Sequence, residues 1–404
     1  MKHSKTLIVV LFCISGLEMP AMAQTDGWQR KADFGGNGRD WAFSFSLLGK
    51  GYVGTGYDGI SLLNDFWEYN PTTDKWTRKS NSPAYRSAGV GFSIGNFGYS
   101  GSASLNKDFW KYNPATNSWS RLADIPGDIR YGKPLGFSIG NFGYVGLGTD
   151  TSEQLLHDFW QYNPDSNKWV RKADFPSDFT STVVAFSIGN KGYVGTGENY
   201  LTHQITNEFW EYNPDSDRWT QVMSLGFSAR NASVGFSIGN KGYVGMGFVN
   251  GTGMSNDWWE YDPVTNIWTQ ISPCNADGFT SFAGIGFSVG NRGYVGTGLN
   301  SNLEWQKSFY EYSLNTAVNP TAFATSAIVY PNPNNGVFTL TIPVDVEAYE
   351  IYDLGGKCVV EKKEVELSRN EQLSLNLKTG MYYLKTIHQD QSVSINKFSI
   401  IRTN

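Results

Sequence analysis

FSIGNKGYVG occupies Phe186–Gly195, and the same ten residues return at Phe236–Gly245. Close variants begin at Phe92 (FSIGNFGYSG), Phe137 (FSIGNFGYVG) and Phe287 (FSVGNRGYVG), with a looser one at Phe45 (FSLLGKGYVG), making six copies. A second phrase keeps step with the first. It reads DFWEYNP at Asp65, DFWKYNP at Asp108, DFWQYNP at Asp158, EFWEYNP at Glu208, DWWEYDP at Asp257 and SFYEYSL at Ser308, at spacings of 43, 50, 50, 49 and 51 residues. A lone Trp in a polar setting is the third element: Trp28, Trp76, Trp119, Trp169, Trp219 and Trp268. A fixed period of this size marks a repeat architecture, in which each unit buries its apolar surface against its neighbours.

The unit Arg230–Gln270 shows what one repeat builds. SVGFSIG reads as a strand, Gly239-Asn240-Lys241-Gly242 as a tight turn tolerant of positive φ, and YVGMG as a second strand. After a variable stretch, DWWEYDP forms a third strand, Pro263 ends it, Thr265-Asn266 turns the chain and IWTQI forms a fourth. Four antiparallel strands per period are the content of one propeller blade. Phe66, Trp67 and Tyr69 place aromatics on both faces of the third strand. A sheet with neighbours on both sides requires that; a sheet with one solvated face would alternate apolar and polar residues.

These residues resemble the kelch family of β-propellers. The resemblance rests on the Tyr-Val-Gly strand and on the segment from Tyr69 to Trp76, and it spans about residues 24–314. Kelch repeats usually carry adjacent glycines after the second strand, whereas this chain has spaced ones, as in Gly54-Thr55-Gly56. The phase of the repeats leaves SFYEYSL without a following Trp strand and Trp28 without a preceding blade. Trp28 is therefore expected to supply the outer strand of blade six, since an open ring would leave unpaired edges beside apolar surface.

Beyond Leu314 the grammar changes. Residues 315–327 read as a small, polar linker, and 328–404 as alternating strands of a small β-sandwich. The stretch resembles the C-terminal sorting domain of type IX secretion substrates, through Tyr330-Pro331-Asn332-Pro333, Gly336, Tyr352-Asp353, Gly355-Gly356-Lys357, Thr379-Gly380-Met381-Tyr382-Tyr383 and Lys397-Phe398. That resemblance implies passage across a Gram-negative outer membrane by the type IX machinery, to the surface or the medium. An adhesive or carbohydrate-binding sandwich is the other reading of this tail. Residues 1–23 read as a signal peptide: Lys2, His3 and Lys5 precede an apolar run, and Ala21-Met22-Ala23 suits cleavage.

Composition bounds the chemistry. The net charge of −5 comes without a basic stripe, so no nucleic-acid partner is expected. No segment is long and apolar enough to predict a transmembrane anchor. Past the signal only Cys274 and Cys358 remain, which predicts no disulfide framework. With His157 and His203 as the only propeller histidines and no HExxH or paired cysteines, no metal site, cofactor or catalytic residue is assigned. The Asp-rich turns before each Trp lack the glycine and terminal glutamate of a calcium loop and read as turn formers. Glu68, Glu211, Glu260 and Glu311 share their phase with Lys111 and Gln161, which reads as a solvated rim.

One set remains. Arg39, Arg86 and Arg230 stand six residues before the Phe of the inner phrase, and Arg130 stands seven before it; blades four and six place Thr180 and Ser281 there. These positions share a face with the long variable loops Tyr57–Asn64, Thr149–His157, Glu198–Asn207, Phe248–Asn256 and Leu299–Lys307. The four arginines are the candidate ligand-binding residues, converging on the mouth of the axial channel as an anion site. The competing reading pairs them with carboxylates, Asp40, Asp58, Asp128 and Asp178 being the nearby candidates.

The expectation is an all-β chain: a six-bladed kelch-like β-propeller followed by a small β-sandwich. Its function would be that of an exported module recognising a glycan, peptide or protein through one face, with an acidic glycan or peptide as ligand. The alternatives are a sugar-modifying enzyme, since kelch propellers include a sialic acid epimerase, or a structural surface protein.

Overall fold

Each copy of the repeat closes into one four-stranded antiparallel sheet. The computed structural model describes residues 27–314 and 328–402, except 104, 132, 226–228, 275–278, 331–334, 343–345, 354–357, 363–369 and 389–392. The expected signal peptide, 1–23, and linker, 315–327, lie outside the described residues. The chain divides into two units, Met1–Asn315 and Thr316–Asn404.

In the first unit, blade one runs Phe43–Leu47, Lys50–Gly54, Phe66–Asn70 and Lys75–Lys79 from inside to outside. The inner strands of the next five sheets are Val90–Ile94, Leu135–Ile139, Val184–Ile188, Val234–Ile238 and Ile285–Val289. Each packs on the next, and the last packs on the first, so the sheets form a closed ring around an axis. The sixth sheet takes its outer strand, Gly27–Arg30, from the start of the described chain, with Trp28 opposite Tyr312.

The recurring phrase follows from this packing. In FSIG the Phe and Ile are buried between blades, while the Ser turns to the axis and is half-buried. The glycine before each Tyr of the second strand lies under the Phe of the preceding blade. A Cβ on Gly98 would enter the ring of Phe45, and one on Gly242 that of Phe186. Only glycine permits so close an approach.

The Tyr-to-Trp segment ties neighbouring blades together. Asp74, Asn117, Asn167, Asp217 and Asn266 all adopt φ between 49° and 56°, a conformation Asn and Asp tolerate. Each carboxylate or amide oxygen accepts from the Tyr of its own strand and from a backbone N–H of the preceding blade; Asp74 accepts from Tyr69 at 2.7 Å and from Ala32 at 3.0 Å. The following Trp donates to the same neighbouring backbone, Trp76 to Ala32 O at 3.1 Å and Trp219 to Ala173 O at 3.0 Å. These turns are therefore staples between blades.

Glu68 and Glu311 of the third strand are not a solvated rim, while Glu211 and Glu260 are half-buried. Glu68 and Glu311 are buried, because the cross-strand register sets Glu68 against Tyr52 and Glu311 against Tyr294. The phenols donate to them at 2.6 and 2.8 Å, and Lys50 reaches Glu68 at 2.7 Å. Gln161 fills the same role by donating to Tyr144, whereas Lys111 lies over the ring of Phe97.

The second unit holds a three-stranded sheet (Ile328–Tyr330, Val337–Thr341, Asn370–Ser374) and a four-stranded one (Cys358–Lys362, Val346–Asp353, Gly380–His388, Val393–Ile400). Phe338 and Leu340 from the first share a core with Ile351, Leu384 and Phe398 from the second. Gly336 adopts φ 97°, and its carbonyl accepts from Leu375 N–H at 2.7 Å.

Candidate functional site

The four arginines do not line a mouth. Arg39, Arg86, Arg130 and Arg230 are at most 1% exposed, and each is engaged within its own blade. Arg39 meets both oxygens of Asp65 at 2.6 and 2.8 Å and also donates to Thr55 O. Arg86 pairs with Asp108 at 2.6 Å, Arg130 with Asp158 at 2.7 Å, and Arg230 with both oxygens of Asp257 at 2.8 and 2.7 Å. The expected partners serve elsewhere: Asp58 accepts from Asn37, and Asp178 contacts His157.

The carboxylates belong instead to the Asp that opens each DFW phrase, and the Trp two residues on donates to the same group, as Trp67 does to Asp65 at 2.7 Å. Burial pushes the Asp65 carboxyl up, but the hydrogen bonds and charge of Arg39, with the Trp67 indole, outweigh it and hold Asp65 below the ordinary range. The same balance holds for Asp257. A buried guanidinium requires such a partner, so these four are struts of the blades and not an anion site. The pairing had a signal in the sequence. Blades with Arg open the phrase with Asp, whereas blades four and six, with Thr180 and Ser281, open it with Glu208 and Ser308.

A different site lies on the same face, at the end of the axis. The residue four before each inner Phe adopts positive φ: Trp41, Ala88, Lys133, Thr182, Ala232 and Ala283. Backbone hydrogen bonds link these positions around the mouth, from Trp41 to Ala283 O, Ala88 to Trp41 O, Ala232 to Thr182 O and Ala283 to Ala232 O, at 2.7–3.1 Å. Among the described residues, no such bond joins Ala88 to Lys133 or Lys133 to Thr182. The cause is local. The spacing of seven between Arg130 and Phe137 inserts one residue into the entry of blade three, where the other arginine blades have six.

Blade two adds a second irregularity. Its phrase follows that of blade one by only 43 residues, and a tight Ala103–Asn106 pairing replaces the long loop of the other blades. Between this short turn and the altered entry to blade three opens a cleft of about 530 Å³ walled by Trp41, Leu62, Leu105, Tyr131 and Tyr200, with Ser87, Ser181 and Lys133 as its polar groups. Trp41 and Lys133 also line a narrower space of about 140 Å³ over the axis. Beneath it runs an axial cavity of about 310 Å³, ringed by serines such as Ser93, Ser187 and Ser237.

The Lys133 ammonium sits 3.6 Å from the centre of the Trp41 ring. Burial lowers its pKa to about 8, opposed by the charges of Glu198 and Asp40. Asp40 is buried and pushed up to about 6 by that burial, against a hydrogen bond from Trp305 and the charge of Lys133. Glu198 accepts from Asn231 at 2.9 Å and contacts His203 at 3.0 Å. Among the described residues, no group of His, Cys, Asp and Glu is arranged to hold a metal ion. Sequence reasoning missed Trp41 and Lys133; the one signal for Lys133 was the extra residue after Arg130.

Comparison with known proteins accords with this architecture. The model of the Secretion system C-terminal sorting domain matches residues 328–401, and that of the Kelch motif matches residues 56–83. Among solved structures the chain is similar to one described as "Structure of YjhT", at 15% identity and a TM-score of 0.59, over 70% of this chain and 97% of that one. At that identity the likeness shows the fold alone. No curated protein matches the chain. The chain thus joins a kelch-type propeller to a C-terminal sorting domain of a secretion system.

Proposed function

We propose that this is an exported binding protein whose propeller recognises an extracellular saccharide bearing an acidic group at the mouth of its axis. The cleft lined by residues of blades one to four carries this reading. Its volume of about 530 Å³ suits a small ligand or the end of a chain. Trp41, Tyr131 and Tyr200 offer flat apolar faces for sugar rings, Ser87 and Ser181 offer hydroxyls, and Lys133 is the cation in the lining. The sorting domain would hand the protein to type IX machinery for release or surface display. Two experiments test the two halves. A glycan-array screen of the purified protein is expected to return acidic saccharides, and Trp41→Ala is expected to abolish their binding; unchanged binding by that variant would move the site elsewhere. Removal of 328–404 is expected to leave the propeller in the periplasm, as read by cell fractionation.

A second reading has one observation in its favour. Asp40 and Lys133 are both shifted toward neutrality, to about 6 and about 8, as acid and base groups of an enzyme are. Turnover of a bound acidic sugar, lost in Asp40→Asn, would establish that enzyme.

A further inference from the structure

We propose that Lys133 is a latch, covering the Trp41 face until the acidic group of a ligand draws it away, so that one residue both selects the acid and uncovers the platform. This rests on reading the mouth as a saccharide site. Three observations support it.

Lys133 makes no ion pair among the described residues; its closest contact of note is the indole face, 3.6 Å from ammonium to ring centre. An ammonium set over an aromatic face, with the charges of Glu198 and Asp40 acting on it but forming no ion pair, retains donors that the oxygen anion of a ligand would satisfy.

Lys133 is also the position least restrained by the ring. Among the described residues, Trp41, Ala88, Thr182, Ala232 and Ala283 each take part in the chain of inter-blade backbone bonds around the mouth, and Lys133 does not. Its φ of 23° departs from the 49–58° shared by the other five. The backbone at Lys133 can therefore adjust without breaking a bond of the ring.

The third observation is the shared lining. Trp41 and Lys133 both border the cleft and the axial mouth, so withdrawal of the ammonium exposes the indole inside the cleft where a sugar ring would lie. A neutral sugar would have to displace Lys133 without offering it a partner, which disfavours neutral ligands.

The test titrates the purified protein with a glucuronic-acid-terminated oligosaccharide and its glucose-terminated counterpart, by calorimetry and tryptophan fluorescence. The wild type is expected to prefer the acidic sugar by about tenfold, the value of one charge-assisted hydrogen bond. In Lys133→Ser the preference is expected to disappear through two opposite changes: the acidic sugar weakens, and the neutral sugar binds more tightly because Trp41 is open. A gain for the neutral sugar is a readout that a merely structural lysine would not produce. A retained preference, or no gain for the neutral sugar, overturns the latch while leaving the saccharide site intact, provided Trp41→Ala still abolishes binding. If the wild type binds neither sugar, the saccharide reading fails and the latch with it.

Discussion

Arg39 and Asp65 meet through two hydrogen bonds of 2.6 and 2.8 Å although 26 residues separate them, and the Trp67 indole closes on the same carboxylate at 2.7 Å. The triad joins the entry of the inner strand to the start of the third. Removing one partner leaves the other buried and uncompensated. Arg39→Gln and Asp65→Asn are each expected to lower stability by about 3–5 kcal/mol. The double variant should lose clearly less than the sum, and a denaturation cycle over the four proteins measures the difference.

Acid should act through the same struts. Asp65 and Asp257 are held below the ordinary carboxylate range in the folded chain. Their contribution is therefore complete above the unfolded carboxylate pKa of about 3.9 and is lost as pH falls through the depressed folded values. Melting temperature followed from pH 6 downward should stay level and then fall, and the fall should be shallower in Asp65→Asn. An unaltered acid slope in that variant would remove Asp65 from the account.

Close packing of the inner hairpins predicts intolerance at single atoms. Gly98→Ala would set its methyl against Phe45 of the preceding blade and is expected to cost about 1–3 kcal/mol by overpacking. Pairing it with Phe45→Leu should recover part of the loss. If Gly98→Ala alone melts with the wild type, the close approach does not govern that position.

Closure of the ring can be tested through Trp28. Its indole lies 4.8 Å from Trp258 and 5.1 Å from Tyr312 and donates to Ser272 O at 3.0 Å, binding the two ends of the propeller together. Trp28→Ala is expected to lower stability by about 3 kcal/mol. Deletion through Arg30 should lower the calorimetric melting temperature further and reduce solubility, because the edge Phe309–Ser313 is then exposed.

What the sequence determined by itself was whatever every repeat shares. Phe, Gly and Tyr of the inner phrase recur because each meets the same neighbour one blade away, so six copies reported one environment. The vacant strand position after SFYEYSL was likewise legible from phase, and the tail from its motifs. What only the tertiary structure decided lies where the repeats depart from one another. Burial converted Arg39, Arg86, Arg130 and Arg230 from expected ligand-binding residues at the mouth into struts, since a shared face of the ring does not say how deep a side chain sits. The cleft arose from two irregularities on adjacent blades, a short turn in one and an extra residue in the next, brought side by side by the ring. Trp41 and Lys133 are far apart in the chain and belong to different blades, and only the geometry of the ring sets one ammonium over one indole.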